Sequence, residues 1–307
     1  MRYGFEIIDC EIPQSMISIE ELSIAAGQGL DVAKKLRDNG LGYIPHNTGS
    51  TLDKMVNRIV LRNIGNENRG RIKKVLLAHS LPFLAPANIP FLDLCLHNSG
   101  LDDIVKIALS GQPCAILHQV LQLAMKWLSK ETDGSSVLVI GADQAYAPHE
   151  RIFFNTAMGD AVFLGIVSNR SDRNIILSSV TGTEIVACEG ENTSQSAIDV
   201  FRANSPPRIR RCIEDALSAA RITMGDVRYI VPHTPNRNIW DTMAKLLKIP
   251  REKILDDYII DTGHFNSNDS FCHYIRACNE GRLQKDSIAV LVNPGFGGSC
   301  GCTIIKV

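Results

Sequence analysis

No run of about eighteen apolar residues occurs in the chain, so no bilayer-spanning helix is expected. The opening MRYGFEIIDCEIP lacks a basic stretch leading into an apolar segment, which speaks against an export signal and for a cytoplasmic protein. There is no excess charge either: 32 Lys and Arg face 33 Asp and Glu, a formal net charge of -1. A generic nucleic-acid binder draws its affinity from cations that neutralise phosphates, so that class is set aside. Neither HxH nor HExxH spacing appears, and Cys300-Gly301-Cys302 has no second cysteine pair at zinc-finger spacing. Neither a metal nor a resident cofactor is therefore expected. No low-complexity linker divides the chain, so its parts are expected to share one core.

What is present is a large apolar complement, 45% of 307 residues, enough to bury a sizeable core. Nine cysteines, at 10, 95, 114, 188, 212, 272, 278, 300 and 302, are an odd number without an export signal and read as reduced thiols, mostly core residues. Short Val/Ile/Leu-rich runs predict strands at Gly4–Cys10, Lys74–His79, Ile104–Leu109, Ser136–Gly141, Ala161–Val167, Ile175–Thr181, Tyr229–Pro232, Ile288–Asn293 and Thr303–Val307. Helical spacing predicts helices at Thr51–Ile64, Ala115–Leu128, Pro207–Ala220, Arg237–Leu247 and Asp269–Glu280. The alternation implies an α/β protein with helix-covered sheets. The polar run SNRSDRN at Ser168–Asn174 divides two stretches of similar element order, which predicts a duplicated architecture with halves 1–170 and 171–307.

Three places carry candidate chemistry. Cys114 in SGQPCAILHQ follows a strand and opens a buried helix; a thiol there feels the positive end of the helix dipole, which favours the thiolate nucleophile. From position alone, a buried structural cysteine at a strand-to-helix turn is the commoner case. His233 ends the strand RYIVP, where α/β sheets present ligand-binding groups, and His264 lies in the loop TGHFNSND; either is a candidate acid/base or a hydrogen-bonded structural residue. The closing GFGGSCG supplies backbone amides for an anion hole or forms a tight turn between the last strands. It is no dinucleotide fingerprint, because a β-like run follows it.

Taken in order, Gln112-Pro-Cys-Ala, Val137-Leu-Val-Ile-Gly-Ala-Asp143, Met158-Gly-Asp-Ala161, Val231-Pro-His-Thr-Pro-Asn236, Gly263-His264 and Gly295-Phe-Gly-Gly resemble the β-ketoacyl-acyl-carrier-protein synthase III group of the thiolase superfamily. The resemblance implies a thiolase fold, two similar βαβαβ halves in a five-layered αβαβα arrangement, assembled as a dimer. It implies acylation of Cys114 by a thioester of coenzyme A or an acyl carrier protein. His233 would hydrogen-bond the carbonyl or shuttle a proton, Asn236 would help position the substrate, and amides at Cys114 and around Gly297 and Gly298 would bind the oxyanion.

The departures are specific. Where the decarboxylating members carry asparagine, this chain has His264, 31 residues after His233. A Cys-His-His set resembles the elongating ketosynthases, which still condense and decarboxylate, while substitution here also occurs in relatives that acylate oxygen or nitrogen without decarboxylation. The family's coenzyme-binding tryptophan and arginine have no counterpart in GLDVAKKLRDNG. That favours a carrier-protein donor over free coenzyme A, with Arg208, Arg210, Arg211, Arg237, Lys245 and Arg251 as a basic rim; a solvated helix face is the alternative. Acyl-pocket walls are expected among Phe83, Phe91, Phe153, Phe154 and Phe201. The expectation is a fatty-acid or secondary-metabolite ketosynthase condensing acyl thioesters, as a homodimer or a heterodimer with a related ketosynthase. The alternatives are acyl transfer to oxygen or nitrogen and a non-catalytic partner subunit.

Overall fold

The structure is a computed structural model that describes residues 2–81, 84–85, 88–132, 134–153, 155–184 and 193–307. Phe83, Phe154 and Cys188 lie outside the described residues. The principal elements are β1 (Gly4–Glu11), α1 (Leu52–Asn63), β2 (Ile72–Ala78), β3 (Val105–Leu109), α2 (Ile116–Leu128), β4 (Ser136–Asp143) and β5 (Ala161–Ser168). They are followed by β6 (Ile175–Thr183), α3 (Gln195–Ala220), β7 (Tyr229–Pro232), α4 (Asn238–Leu247), α5 (Asp269–Asn279), β8 (Ile288–Pro294) and β9 (Ser299–Lys306).

The strands lie in the order β7-β8-β9-β6-β1-β5-β4-β2-β3. The join between β6 and β1 is a single residue pair, Gly4 with Ile175. On either side of it the same pattern recurs. β2 runs parallel to β4, which is antiparallel to β5, which is antiparallel to β1. β7 runs parallel to β8, which is antiparallel to β9, which is antiparallel to β6. Each series is second, third, fourth and first in chain order, and β3 extends the first series at its outer edge, parallel to β2.

Period-two alternation sends successive strand residues to opposite faces. Val75 and Leu77, Leu138 and Ile140, and Val162 and Leu164 pack on α1. Their neighbours Leu76, Val137, Val139 and Phe163 face α2 and α5. In the other sheet Ala289, Leu291 and Ile305 meet the same two helices, while Val290, Val292, Cys302 and Ile304 face α3 and α4. The layers are therefore α1, sheet, α2 with α5, sheet, and α3 with α4, the five-layered αβαβα thiolase fold. A helix between two sheets must be apolar nearly all round, and α2 buries Ile116, Leu117, His118, Val120, Leu121, Ala124 and Leu128.

Two segments differ from expectation. Helix α3 begins at Gln195, not near Pro207, and carries Pro206 and Pro207 inside it. Proline removes a backbone donor and usually marks a helix start; here Ile198, Phe201 and Ser205 already pack along the cavity described below, and that packing continues the helix upstream. Strand β9 begins at Ser299, because Ser299–Cys302 pair with β6 and Cys300–Cys302 also pair with β8.

Candidate active site

The N-termini of the two central helices converge. Cys114 stands two residues before α2, and Asp269 is the first residue of α5. Cys114 has φ +62°, a left-handed conformation that a non-glycine residue holds only when its surroundings enforce it. The enforcement is visible: Cys114 N–H donates to Ser80 Oγ (3.3 Å) and Ser299 Oγ donates to Pro113 O (3.1 Å). Ser80 is itself held, since Asp143 Oδ1 accepts from the backbone N–H groups of Ser80 and Leu81 (2.8 and 3.0 Å). Burial pushes the Asp143 carboxyl up to about 7.

His264 is delivered by a turn that only glycine permits. Gly263 has φ +60°, and a Cβ there would sit 2.4 Å from Ile44 Cγ2 and 2.7 Å from Ala157 O. The His264 backbone then pairs with the Ala157–Gly159 segment. Its ring lies between sulfur and carboxylate: Cys114 Sγ is 3.8 Å from Nε2, and Nδ1 donates to Asp269 Oδ2 at 2.7 Å. Asp269, fully buried, also accepts from the backbone N–H groups of Thr234 and Phe265. Burial opposes the His264 imidazolium, but the Asp269 carboxylate and the Cys114 sulfur outweigh it and raise the ring to about 10. Burial likewise opposes the Asp269 carboxylate, and His264 overrides it, holding Asp269 well below the usual carboxylate range.

His233 is different. Its backbone is pinned by Val292 O (2.8 Å) and by the Trp240 indole on its carbonyl (3.1 Å). Its ring stands edge-on to His264, centroids 4.4 Å apart, and neither ring nitrogen has a hydrogen-bond partner among the described residues. Burial, reinforced by the charge of His264, drives it well below 6.5 and keeps it neutral. The donor atoms of Cys114, His233 and His264 lie within 4.8 Å of one another, close enough to hold a metal ion.

These three residues open onto a cavity of about 490 Å³, whose wall includes Asn236, Pro294, Gly295, Phe296, Phe153 and Phe201. Asn236 is thus placed on the wall. From the glycine-rich end the wall is made by Pro294, Gly295 and Phe296, with Gly297 (φ +78°) and Gly298 (φ +95°) following in the turn. Gly295 has the sharpest requirement: a Cβ there would lie 1.8 Å from Pro113 O. Phe91 packs beside the α1 core instead. The basic rim is corrected by its pairing. Arg208 is buried, and Arg208 and Arg211 both meet Glu184. Arg210 meets Glu214, and Arg237 and Arg251 meet Asp256. Lys245 is exposed.

Sequence reasoning missed Asp269. It sits in the polar run Asn266-Ser-Asn-Asp-Ser270, which reads as a solvated loop and yet is buried throughout. The legible signal was an acid at a helix start, five residues after a candidate histidine.

The family model of the 3-oxoacyl-[acyl-carrier-protein] synthase III C-terminal region matches residues 217–307. The C-terminal part of the chain is similar to that of the synthases III. It is 29% identical over 113 residues to β-ketoacyl-[acyl-carrier-protein] synthase III of Granulibacter bethesdensis, a match covering 36% of this chain and 33% of that protein. The matches in the Rhodospirillum centenum and Jannaschia synthases III span 61% and 60% of their length; the chain spans less than two thirds of these curated relatives. Among solved structures the ChlB3 acyltransferase superposes with TM-score 0.86 at 17% identity, covering 100% of this chain and 98% of that one. Synthase III from Aquifex aeolicus VF5 gives TM-score 0.82 at 17% identity, with 99% and 100% covered. The synthase III-like chain has no helix, among its described residues, long and apolar enough to cross a membrane.

Proposed function

We propose that this synthase III-like chain is an acyltransferase that carries its acyl group as a thioester on Cys114 and delivers it to an oxygen or nitrogen nucleophile deprotonated by His264. One observation carries the reading: the unbroken chain from Cys114 Sγ to His264 Nε2, and from His264 Nδ1 to the Asp269 carboxylate. A nucleophile, a base and a group that orients the base are the parts acyl transfer requires.

The Cys114 thiolate attacks the carbonyl of an acyl thioester, forming a new C–S bond and a tetrahedral oxyanion. His233, neutral and without a partner at either ring nitrogen among the described residues, donates a hydrogen bond to that oxygen from its Nε2–H tautomer. Collapse breaks the donor's C–S bond, and the departing sulfur takes the Nε2 proton of the His264 imidazolium and leaves as a thiol. His264 is now neutral, with Nδ1–H still on Asp269 and the Nε2 lone pair toward the acyl-cysteine. It takes the proton of an acceptor O–H or N–H as that atom attacks the carbonyl. Collapse releases ester or amide, the Cys114 thiolate and a reprotonated His264.

Decarboxylative carbon–carbon condensation is the second reading, favoured by the match to the synthase III family model. There the neutral, Asp269-oriented His264 left after acylation would offer Nε2 as an acceptor beside the donor His233. An acyl carrier protein or coenzyme A thioester as donor, and assembly as a homodimer or with a related ketosynthase, complete the reading; the exposed Val105 on the outermost strand β3 supports assembly along that edge.

Intact-protein mass spectrometry tests the first half. Incubated with short acyl-coenzyme A and acyl-pantetheine thioesters, the protein is expected to gain one acyl mass that maps to Cys114. A chase with primary alcohols and amines is expected to remove it as ester or amide. Equal gain of mass by Cys114→Ala would overturn the nucleophile assignment.

A further inference from the structure

The cavity over Cys114 contains a cation with an unused donor. Arg208 is 8% exposed and forms part of the wall. Its guanidinium carbon lies 5.5 Å from the Phe201 ring centroid, and its Nε reaches Glu184 only at 3.4 Å. Its Nη2 is buried with no hydrogen-bond partner among the described residues. A buried guanidinium donor left unpaired costs free energy in the free protein that a ligand oxygen recovers.

The charge count around it is uneven. Glu184 is shared between Arg208 and Arg211, which donates to it from Nη1 at 3.1 Å. Among the described residues, Glu184 is the one carboxylate paired with these two guanidinium groups. Among the described residues, the cavity wall carries Arg208 and Arg202 and no aspartate or glutamate. Three phenylalanines of the wall stand together: Phe296 packs against Phe153 (centroids 5.9 Å) and Phe201 (5.5 Å). Burial of the guanidinium beside these rings strengthens a charge-assisted hydrogen bond made to it.

We propose that Arg208 Nη2 recognises a carboxylate on the substrate, so that the cavity prefers an acid-bearing acyl group to a neutral one of equal length. This rests on the acyl-transfer reading and assigns it a substrate class. A carboxylate is less strongly hydrated than a phosphate dianion, which suits a donor as buried as Arg208 Nη2.

The test compares succinyl and butyryl groups, each on coenzyme A and on pantetheine, which lacks the nucleotide phosphates. The rate of acyl mass gain at Cys114 is followed in the wild type, Arg208→Met and Arg208→Lys. Binding of the same four thioesters is measured by calorimetry in Cys114→Ala with and without Arg208→Met. On both carriers the wild type is expected to favour succinyl over butyryl by about tenfold or more. Arg208→Met is expected to abolish that ratio, and Arg208→Lys to keep part of it. Thermal melts establish that each variant is folded. An unchanged ratio in Arg208→Met, or none in the wild type, overturns the proposal. Loss in Arg208→Met for both acyl groups on coenzyme A and for neither on pantetheine assigns the anion to phosphate and also overturns it. If no probe acylates Cys114, the acyl-transfer reading fails, while the calorimetric succinyl-to-butyryl ratio still decides the role of Arg208.

Discussion

Asp269 does two jobs with one carboxylate: it orients His264 and it satisfies two buried backbone donors. Asp269→Asn keeps the shape and removes the charge that stabilises the imidazolium. Acyl transfer is expected to fall about a hundredfold or more, measured as the rate at which acyl mass leaves Cys114. Stability should fall by about 3 kcal/mol, because one partner of a buried ion pair is gone. The pH dependence follows from the direction of each shift. His264 is raised from 6.5 to about 10, so its contribution is full below pH 6.5 and fades as pH rises through 10. Asp269 is lowered from 3.8, so its contribution is present above that pH and lost on acidification. Chemical denaturation of the wild type should show greatest stability between these limits, and Asp269→Asn should flatten the alkaline fall.

At the scale of elements, the nucleophile loop and the glycine-rich end are locked together. Because Gly295 meets Pro113 O directly, Gly295→Ala is expected to cost about 1–3 kcal/mol and to slow Cys114 acylation by displacing the residue before it. Gly225, whose added Cβ would meet only Thr223 Oγ1 at 3.4 Å, is the control: Gly225→Ala should leave acylation unchanged. Urea melts and acylation rates measure both. The strands were legible because buried parallel and central strands are dense in Val, Ile and Leu, and every predicted strand has a counterpart displaced only at its ends. Helix α3 was half legible, since two adjacent prolines carry a local stop signal that the packing of Phe201 and Ser205 overrides. Cys114, His233 and His264 were visible from their place at element ends. Asp269 was not, because a polar pentapeptide gives no sign that tertiary contacts from Gly141, Ala161 and Asn293 enclose it.

Across the whole molecule, the active site depends on both strand series at once. Cys114 precedes one central helix, Asp269 begins the other, and both helices pack against both sheets in one cluster. Residues 1–170 or 171–307 expressed alone would expose the face of a sheet and an apolar helix meant to lie between two sheets. Each is expected to bind a hydrophobic dye and lack a cooperative melt, whereas co-expression should restore a single transition. A cooperative melt from either half alone would contradict a shared core. The same architecture is found in the ChlB3 acyltransferase and in synthases III, so the fold does not choose the reaction; in the proposed reading the tautomer that Asp269 imposes on His264 does. The direct measurement is the release of labelled carbon dioxide from carboxyl-labelled malonyl-coenzyme A added to protein already acylated on Cys114. The account predicts that no label is released and the acyl mass stays in place, whereas stoichiometric release with formation of a β-ketoacyl thioester would contradict it.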